Sequence, residues 1–167
     1  VERNAICDLG ARLSAGLVTN YIWHGDLSAA QIVCTRFRAQ AARKHLSALA
    51  TVLNHLNEAT LYLHQGRLEP CFRAIEEGLE ASRTHGIRSW DSILHCHAIV
   101  ICCSKGDSSL AKHHIAKIEQ LIAEGVSIDE AYYRAMRAWH AYIAGDHIGA
   151  VSRCTSALET TDAKGVP

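Results

Sequence analysis

The chain has 167 residues, room for one ordinary domain or one short repeat array. Its 17 Lys+Arg balance 17 Asp+Glu, so the basic excess of a dedicated nucleic-acid binder is missing. With 49% apolar and 20% charged residues bulk disorder is not expected, and no apolar run reaches the ~18 residues of a membrane span.

Only two prolines (Pro70, Pro167), 25 alanines and 6% aromatic residues point to an all-α protein. Four glycine-led segments order it: Gly25-Asp26-Leu27-Ser28-Ala29-Ala30, Gly66-Arg67-Leu68-Glu69-Pro70-Cys71, Gly106-Asp107-Ser108-Ser109-Leu110-Ala111 and Gly145-Asp146-His147-Ile148-Gly149-Ala150. These glycines lie 41, 40 and 39 residues apart. Five residues after each stands a small residue (Ala30, Cys71, Ala111, Ala150), and four further an apolar one (Cys34, Ile75, Ile115, Cys154). A second marker, Ile6, Leu46, Ile87, Val126 and Val166, recurs at intervals of 40, 41, 39 and 40. Two markers in one phase are the signature of stacked repeats.

Each unit reads as two helices. In the first unit, about 5–44, one helix runs from Ile6 to the residue before Gly25. A second runs towards His45 and carries the basic cluster Arg36, Arg38, Arg43 and Lys44, read as a solvated face. The second unit, 45–85, opens at Leu46, turns at Gly66 and places Pro70 in the first turn of a helix, where a missing N–H costs little. Its acidic patch Glu76, Glu77, Glu80 reads as the counterpart of the basic cluster, a pairing of small value. The third unit, 86–124, opens at Ile87 and turns at Gly106. The fourth, 125–164, opens at Val126 and turns at Gly145, and residues 165–167 read as the start of a fifth. Glycine suits a turn that needs left-handed backbone. Asp26, Asp107 and Asp146 are placed to cap the helices that follow, and the small residues let paired helices approach closely. The chain starts with valine and shows no polar capping helix, so it is expected to be a segment of a larger protein.

Seven cysteines, none in a C-x-x-C pair, and no N-terminal signal peptide point to free thiols packed as small hydrophobes in a reducing cytosol. No two of the 11 histidines stand three or four residues apart on one helical face. The densest cluster, His95-Cys96-His97 with Cys102-Cys103, is read as packing, so neither metal, cofactor nor catalytic residue is expected. No G-x-x-x-x-G-K-[ST] phosphate loop and no basic helix-turn-helix occur.

A tyrosine four residues before the glycine (Tyr21, Tyr62), Gly-Asp, and alanine five later resemble a tetratricopeptide repeat. The first unit adds Phe37 at the later apolar position. The period departs from that family's, about 40 against about 34, and the unit-ending proline is absent. The longer unit, with Gly-Asp turns and Gly-Ile or Gly-Val openings, is similar to the superhelical domain of MalT-like regulators, ATP-dependent bacterial transcriptional activators of the LuxR type. That resemblance implies a tetratricopeptide-like αα superhelix of four helix pairs, right-handed, forming a single domain over 1–167. It implies a cytoplasmic, non-enzymatic segment that senses a small-molecule inducer or contacts a protein partner. Binding of ATP and DNA would belong to other domains of the parent. The alternative is a free-standing repeat scaffold for protein–protein interaction.

In tetratricopeptide proteins the first helix of each unit lines the concave groove. Carried over by offset from the turn glycine, the lining here would be Arg12, Ala15, Thr19, Ile22 and Trp23, then Leu53, Leu56, Thr60, Leu63 and His64. The later units would supply Ile93, Cys96, Val100, Cys103 and Ser104, then Tyr132, Ala135, Trp139, Tyr142 and Ile143. Arg12, Thr19, Trp23, Thr60, His64, Ser104, Tyr132, Trp139 and Tyr142 are the candidate ligand or partner contacts. Such a lining suits an apolar or mixed ligand or a partner helix.

Overall fold

Helices account for the regular structure, as the alanine-rich, proline-poor sequence predicts. The computed structural model describes residues 2–43, 47–126 and 128–163, and the side chains of 8–40, 47–126 and 128–159. These residues form α1 (Glu2–Trp23), α2 (Leu27–Arg43), α3 (Ala48–His64), α4 (Leu68–His85), α5 (Asp91–Ser104), α6 (Ser108–Ala123), α7 (Glu130–Ile143) and α8 (His147–Ala163), with no strand among them. Lys44, His45, Leu46, Gly165, Val166 and the expected opening of a fifth unit at 165–167 lie outside the described residues. So do the side chains of Ile6, Cys7 and Arg43.

The four Gly turns are built alike. Each glycine has positive φ, from 69° at Gly66 to 84° at Gly145. The residue after it donates its N–H back across the helix end: Asp26 to Tyr21 (2.8 Å), Arg67 to Tyr62 (2.9 Å), Asp107 to Cys102 (2.8 Å) and Asp146 to Ala141 (2.9 Å). This is the Schellman closure, which satisfies carbonyls that the helix end leaves bare. The expected aspartate caps form too. Asp26, Asp107 and Asp146 accept the N–H groups of Ala29, Leu110 and Gly149 at 2.9, 2.9 and 2.8 Å. Pro70 sits in the first turn of α4.

The second helices α4 and α6 end beside Gly86 and Gly125, as expected, but the aliphatic marker does not open the helices that follow. Ile87 and Val126 do not open α5 and α7, which begin at Asp91 and Glu130. Their N–H groups are spent on Ser82 and Leu121 of the preceding helices, both at 3.0 Å. Gly86-Ile87 and Gly125-Val126 therefore close α4 and α6 by the same Schellman device. Side chains the period did not mark cap two of the first helices: Ser47 accepts from Ala50 N–H at the start of α3, and Asp129 from Tyr132 N–H at the start of α7. In the first unit α1 already begins at Glu2, ahead of Ile6.

The chain packs as two compact units, residues 1–90 and 91–167. In the first, α1 packs on α2 and α3, and α3 on α4. Its core joins Val18 and Ile22 of α1, Ala30 and Cys34 of α2, and Leu61 of α3, with Tyr21, Leu27 and Val33 around them. In the second, α5 packs on α6 and α7, and α7 on α8. Leu94, Ile99, Ile118 and Leu121 are among its fully buried side chains. The small residue of each turn is buried as the close helix approach requires: Ala30, Cys71, Ala111 and Ala150. Of the apolar residues four further on, Cys34, Ile75 and Ile115 are buried, whereas Cys154 is exposed. Among the described residues α8 packs on α7 alone, so the face bearing Ile148, Val151, Cys154 and Leu158 meets solvent. No helix of the described residues is long and apolar enough to cross a membrane.

Candidate functional site

The predicted groove residues divide into three environments. At the same offset before the turn, Trp23, His64 and Ser104 are all exposed, Trp23 to 84%. Arg12 and Thr19 are exposed on α1, and Tyr142 is 59% exposed with its ring 5.2 Å from that of His147. Thr60, Tyr132 and Trp139 are half-buried. By contrast Ile22, Leu53, Leu56, Cys96 and Cys103 are core residues. Two of the candidate hydroxyls turn back on their own helices: Thr60 donates to the Leu56 carbonyl and Ser104 to that of Val100, both at 2.8 Å. His64 lines an open cleft of about 540 Å³ with Leu27, Ser28, Gln31, Ile32 and Gln65.

The histidines pair across helices rather than along one. His95 Nδ1 of α5 lies 3.0 Å from His114 Nδ1 of α6, within hydrogen-bond distance. Burial, and then the neighbouring His113, lower His114 to a pKa of about 4. His97 Nδ1 lies 3.2 Å from the hydroxyl of Tyr132 on α7, tying the first helices of adjacent hairpins together. Spacing along a single helix carries no sign of these pairs. No group of three His, Cys, Asp or Glu is placed to share a metal among the described residues.

Five of the cysteines behave as expected. Cys34, Cys71, Cys96, Cys102 and Cys103 are buried and free, and burial raises the pKa of each thiol, to about 12 for the first three. Arg36 and Arg38 are exposed, as a solvated basic face requires, but the described ion pairs do not join this cluster to the acidic patch. Arg38 pairs with the buried Glu58 of α3 at 2.5 Å and reaches the Tyr62 hydroxyl at 3.1 Å. Glu77 lies 3.4 Å from His55, and Glu80 pairs with Arg83 on its own helix. Glu58 stands closer to Arg38 because α2 packs directly on α3.

A further cleft, lined by arginines, lies in the second unit, and its residues were not among the predicted ones. Its volume is about 480 Å³. Ile122, Val126 and Ile128 supply its apolar side. Glu130, Tyr133, Arg134 and Arg137 project from α7, and Arg153 and Ser156 from α8. Arg134 donates to the Ser156 hydroxyl at 2.5 Å and to Glu130 at 2.6 Å. Arg137 lies over the Tyr133 ring at 5.8 Å and meets Glu119 at 3.5 Å. The Tyr133 hydroxyl donates to the same Glu119 at 3.2 Å, and burial above all pushes its pKa up to about 12. Arg153 reaches Asp146 at 3.2 Å. The Gly149 N–H, and then Arg153, hold that carboxyl below its usual range. Three guanidiniums thus line the cleft against one carboxylate, Glu130. The spacing of Tyr133, Arg134 and Arg137 on one side of α7 was the only sequence signal for it. Arg153 comes from another helix.

No protein-family model matches the chain, and comparisons with curated proteins and with solved structures give no significant match.

Proposed function

We propose that this chain is a non-enzymatic helical-repeat domain that senses a small-molecule inducer or binds a protein partner along the first helices of its hairpins. The observation that carries this reading is the repeated turn. The same Schellman closure recurs at Gly25, Gly66, Gly106 and Gly145. At three of the four turns it leaves a polar or aromatic side chain exposed at the equivalent position, Trp23, His64 and Ser104, while the fourth is the half-buried Ile143. A tetratricopeptide-like superhelix is the architecture this reading calls for, and the MalT-like regulators are the parent class whose sequence features it shares. In such a parent, ATP and DNA binding would reside in other domains.

The test is a thermal-shift screen of small metabolites against the purified chain. A ligand present at 100 times its dissociation constant adds about 2.7 kcal/mol of stability, and substitution of Trp23, Trp139 or Tyr142 should reduce that gain. Absence of any hit would contradict the inducer-sensing form. The parent gene decides the regulator assignment, which requires a phosphate-loop domain and a LuxR-type helix-turn-helix. The alternative, a free-standing scaffold for a protein partner, is favoured by Leu9, Leu13 and Leu17. They stand four residues apart on α1, all about half exposed (58%, 59% and 47%), the spacing of a surface that accepts a partner helix.

A further inference from the structure

We propose that the arginine-lined cleft of the second unit binds a small organic oxyanion, a carboxylate or phosphate carried on an apolar body. The inference is independent of the groove reading. It uses the side of α7 that bears Tyr133 and Arg137, whereas the groove would use Tyr132, Trp139 and Tyr142.

The three arginines are not equivalent. Arg134 is fixed by two short bonds, to Ser156 at 2.5 Å and Glu130 at 2.6 Å, and forms a charged wall. Arg137 and Arg153 pair with Glu119 and Asp146 at 3.5 and 3.2 Å, and Arg137 also lies over the Tyr133 ring. Tight charge-assisted bonds measure about 2.7–2.9 Å, and half-exposed ion pairs such as these are weakened by solvent screening. Neither Glu119 nor Asp146 lines the cleft. An oxyanion entering it therefore meets two guanidiniums whose present partners compete weakly. A guanidinium fork matches the planar or tetrahedral oxygens of a carboxylate or phosphate. Ile122, Val126 and Ile128 give the other side an apolar surface, so the complementary ligand joins a charged head to a hydrocarbon or aromatic body. The volume of about 480 Å³ is that of a small-molecule site.

Isothermal titration of the full chain tests this with four probes: 3-phenylpropionate, phenyl phosphate, 3-phenylpropanol and inorganic phosphate. Saturable binding of at least one aromatic anion is expected. The neutral alcohol and inorganic phosphate should bind at least about tenfold more weakly, equivalent to about 1.4 kcal/mol. The stronger of the two aromatic anions identifies the head group as carboxylate or phosphate. Arg137→Gln and Arg153→Gln should each weaken that anion several-fold, while Arg36→Gln on α2 should not. If a glutamine variant loses helix by circular dichroism, the lysine variant at that position takes its place. Lysine keeps the charge and removes the fork, so it too should weaken binding. The proposal is overturned if neither aromatic anion saturates at millimolar concentration. It is also overturned if inorganic phosphate binds as tightly as phenyl phosphate, or if affinity is unchanged in both the Arg137 and Arg153 variants.

Discussion

Individual side chains in this chain are sorted by burial more than by chemistry. Five described thiols sit in the core with raised pKa values, and Cys154 alone among the described cysteines is exposed. Since the thiolate is the reactive form, iodoacetamide followed by peptide mapping should modify Cys154 first and leave Cys34, Cys71, Cys96, Cys102 and Cys103 protected until the chain unfolds. Rapid labelling of Cys71 or Cys96 in the folded protein would contradict the described core. His114 gives a pH signature. Its folded pKa of about 4 lies below the ordinary 6.5, so the unfolded chain takes up the proton first. Its contribution is therefore complete above pH 6.5 and is lost as pH falls towards 4, with a limiting slope of about 1.4 kcal/mol per pH unit. Urea midpoints measured across that window should decline, and the decline should flatten in His114→Gln. The burial of the cysteines was legible from the lack of any metal or redox spacing. The His95–His114 and Arg38–Glu58 pairs were not, because they join residues 19 and 20 apart across helices whose packing no single-helix spacing encodes.

At the scale of the helix, the turn does the organising, and its two ingredients can be separated. A Cβ added at Gly106 would meet no atom within 4 Å, yet the residue sits at φ +73°. The cost of Gly106→Ala is then the left-handed backbone itself, about 1–2 kcal/mol. Asp107→Ala leaves the backbone untouched and removes the cap on the Leu110 N–H, costing about 1 kcal/mol. Chemical denaturation of the two variants should give both losses. A neutral Gly106→Ala would mean that the turn does not hold this backbone. Turn glycines and aspartate caps were readable because each is a local requirement of the chain. The helix starts were misplaced because Ile87 and Val126 look the same in sequence whether they open a helix or close the one before. Their hydrogen bonds to Ser82 and Leu121 decide the matter. The choice of Asp129 as the cap of α7 follows from that decision.

For the molecule as a whole, each compact unit repeats one scheme: two hairpins joined through their first helices, α1 on α3 and α5 on α7. The four helix–turn–helix hairpins were legible in the 40-residue period; their grouping two by two was not. The oxyanion cleft was not either, since the stretch from Ile122 to Arg137 is completed by Arg153 and Ser156 of α8, brought in only by helix packing. Both the repeat-domain reading and the cleft depend on the hairpins turning where the period places them. The most direct measurement is a backbone NMR assignment of the intact chain. Helical carbon shifts should run through Leu27–Arg43, Leu68–His85, Ser108–Ala123 and His147–Ala163, each preceded by a non-helical, positive-φ glycine at 25, 66, 106 and 145. Helical shifts continuing unbroken through any of these four glycines, or extended shifts within the four helices, would contradict the account.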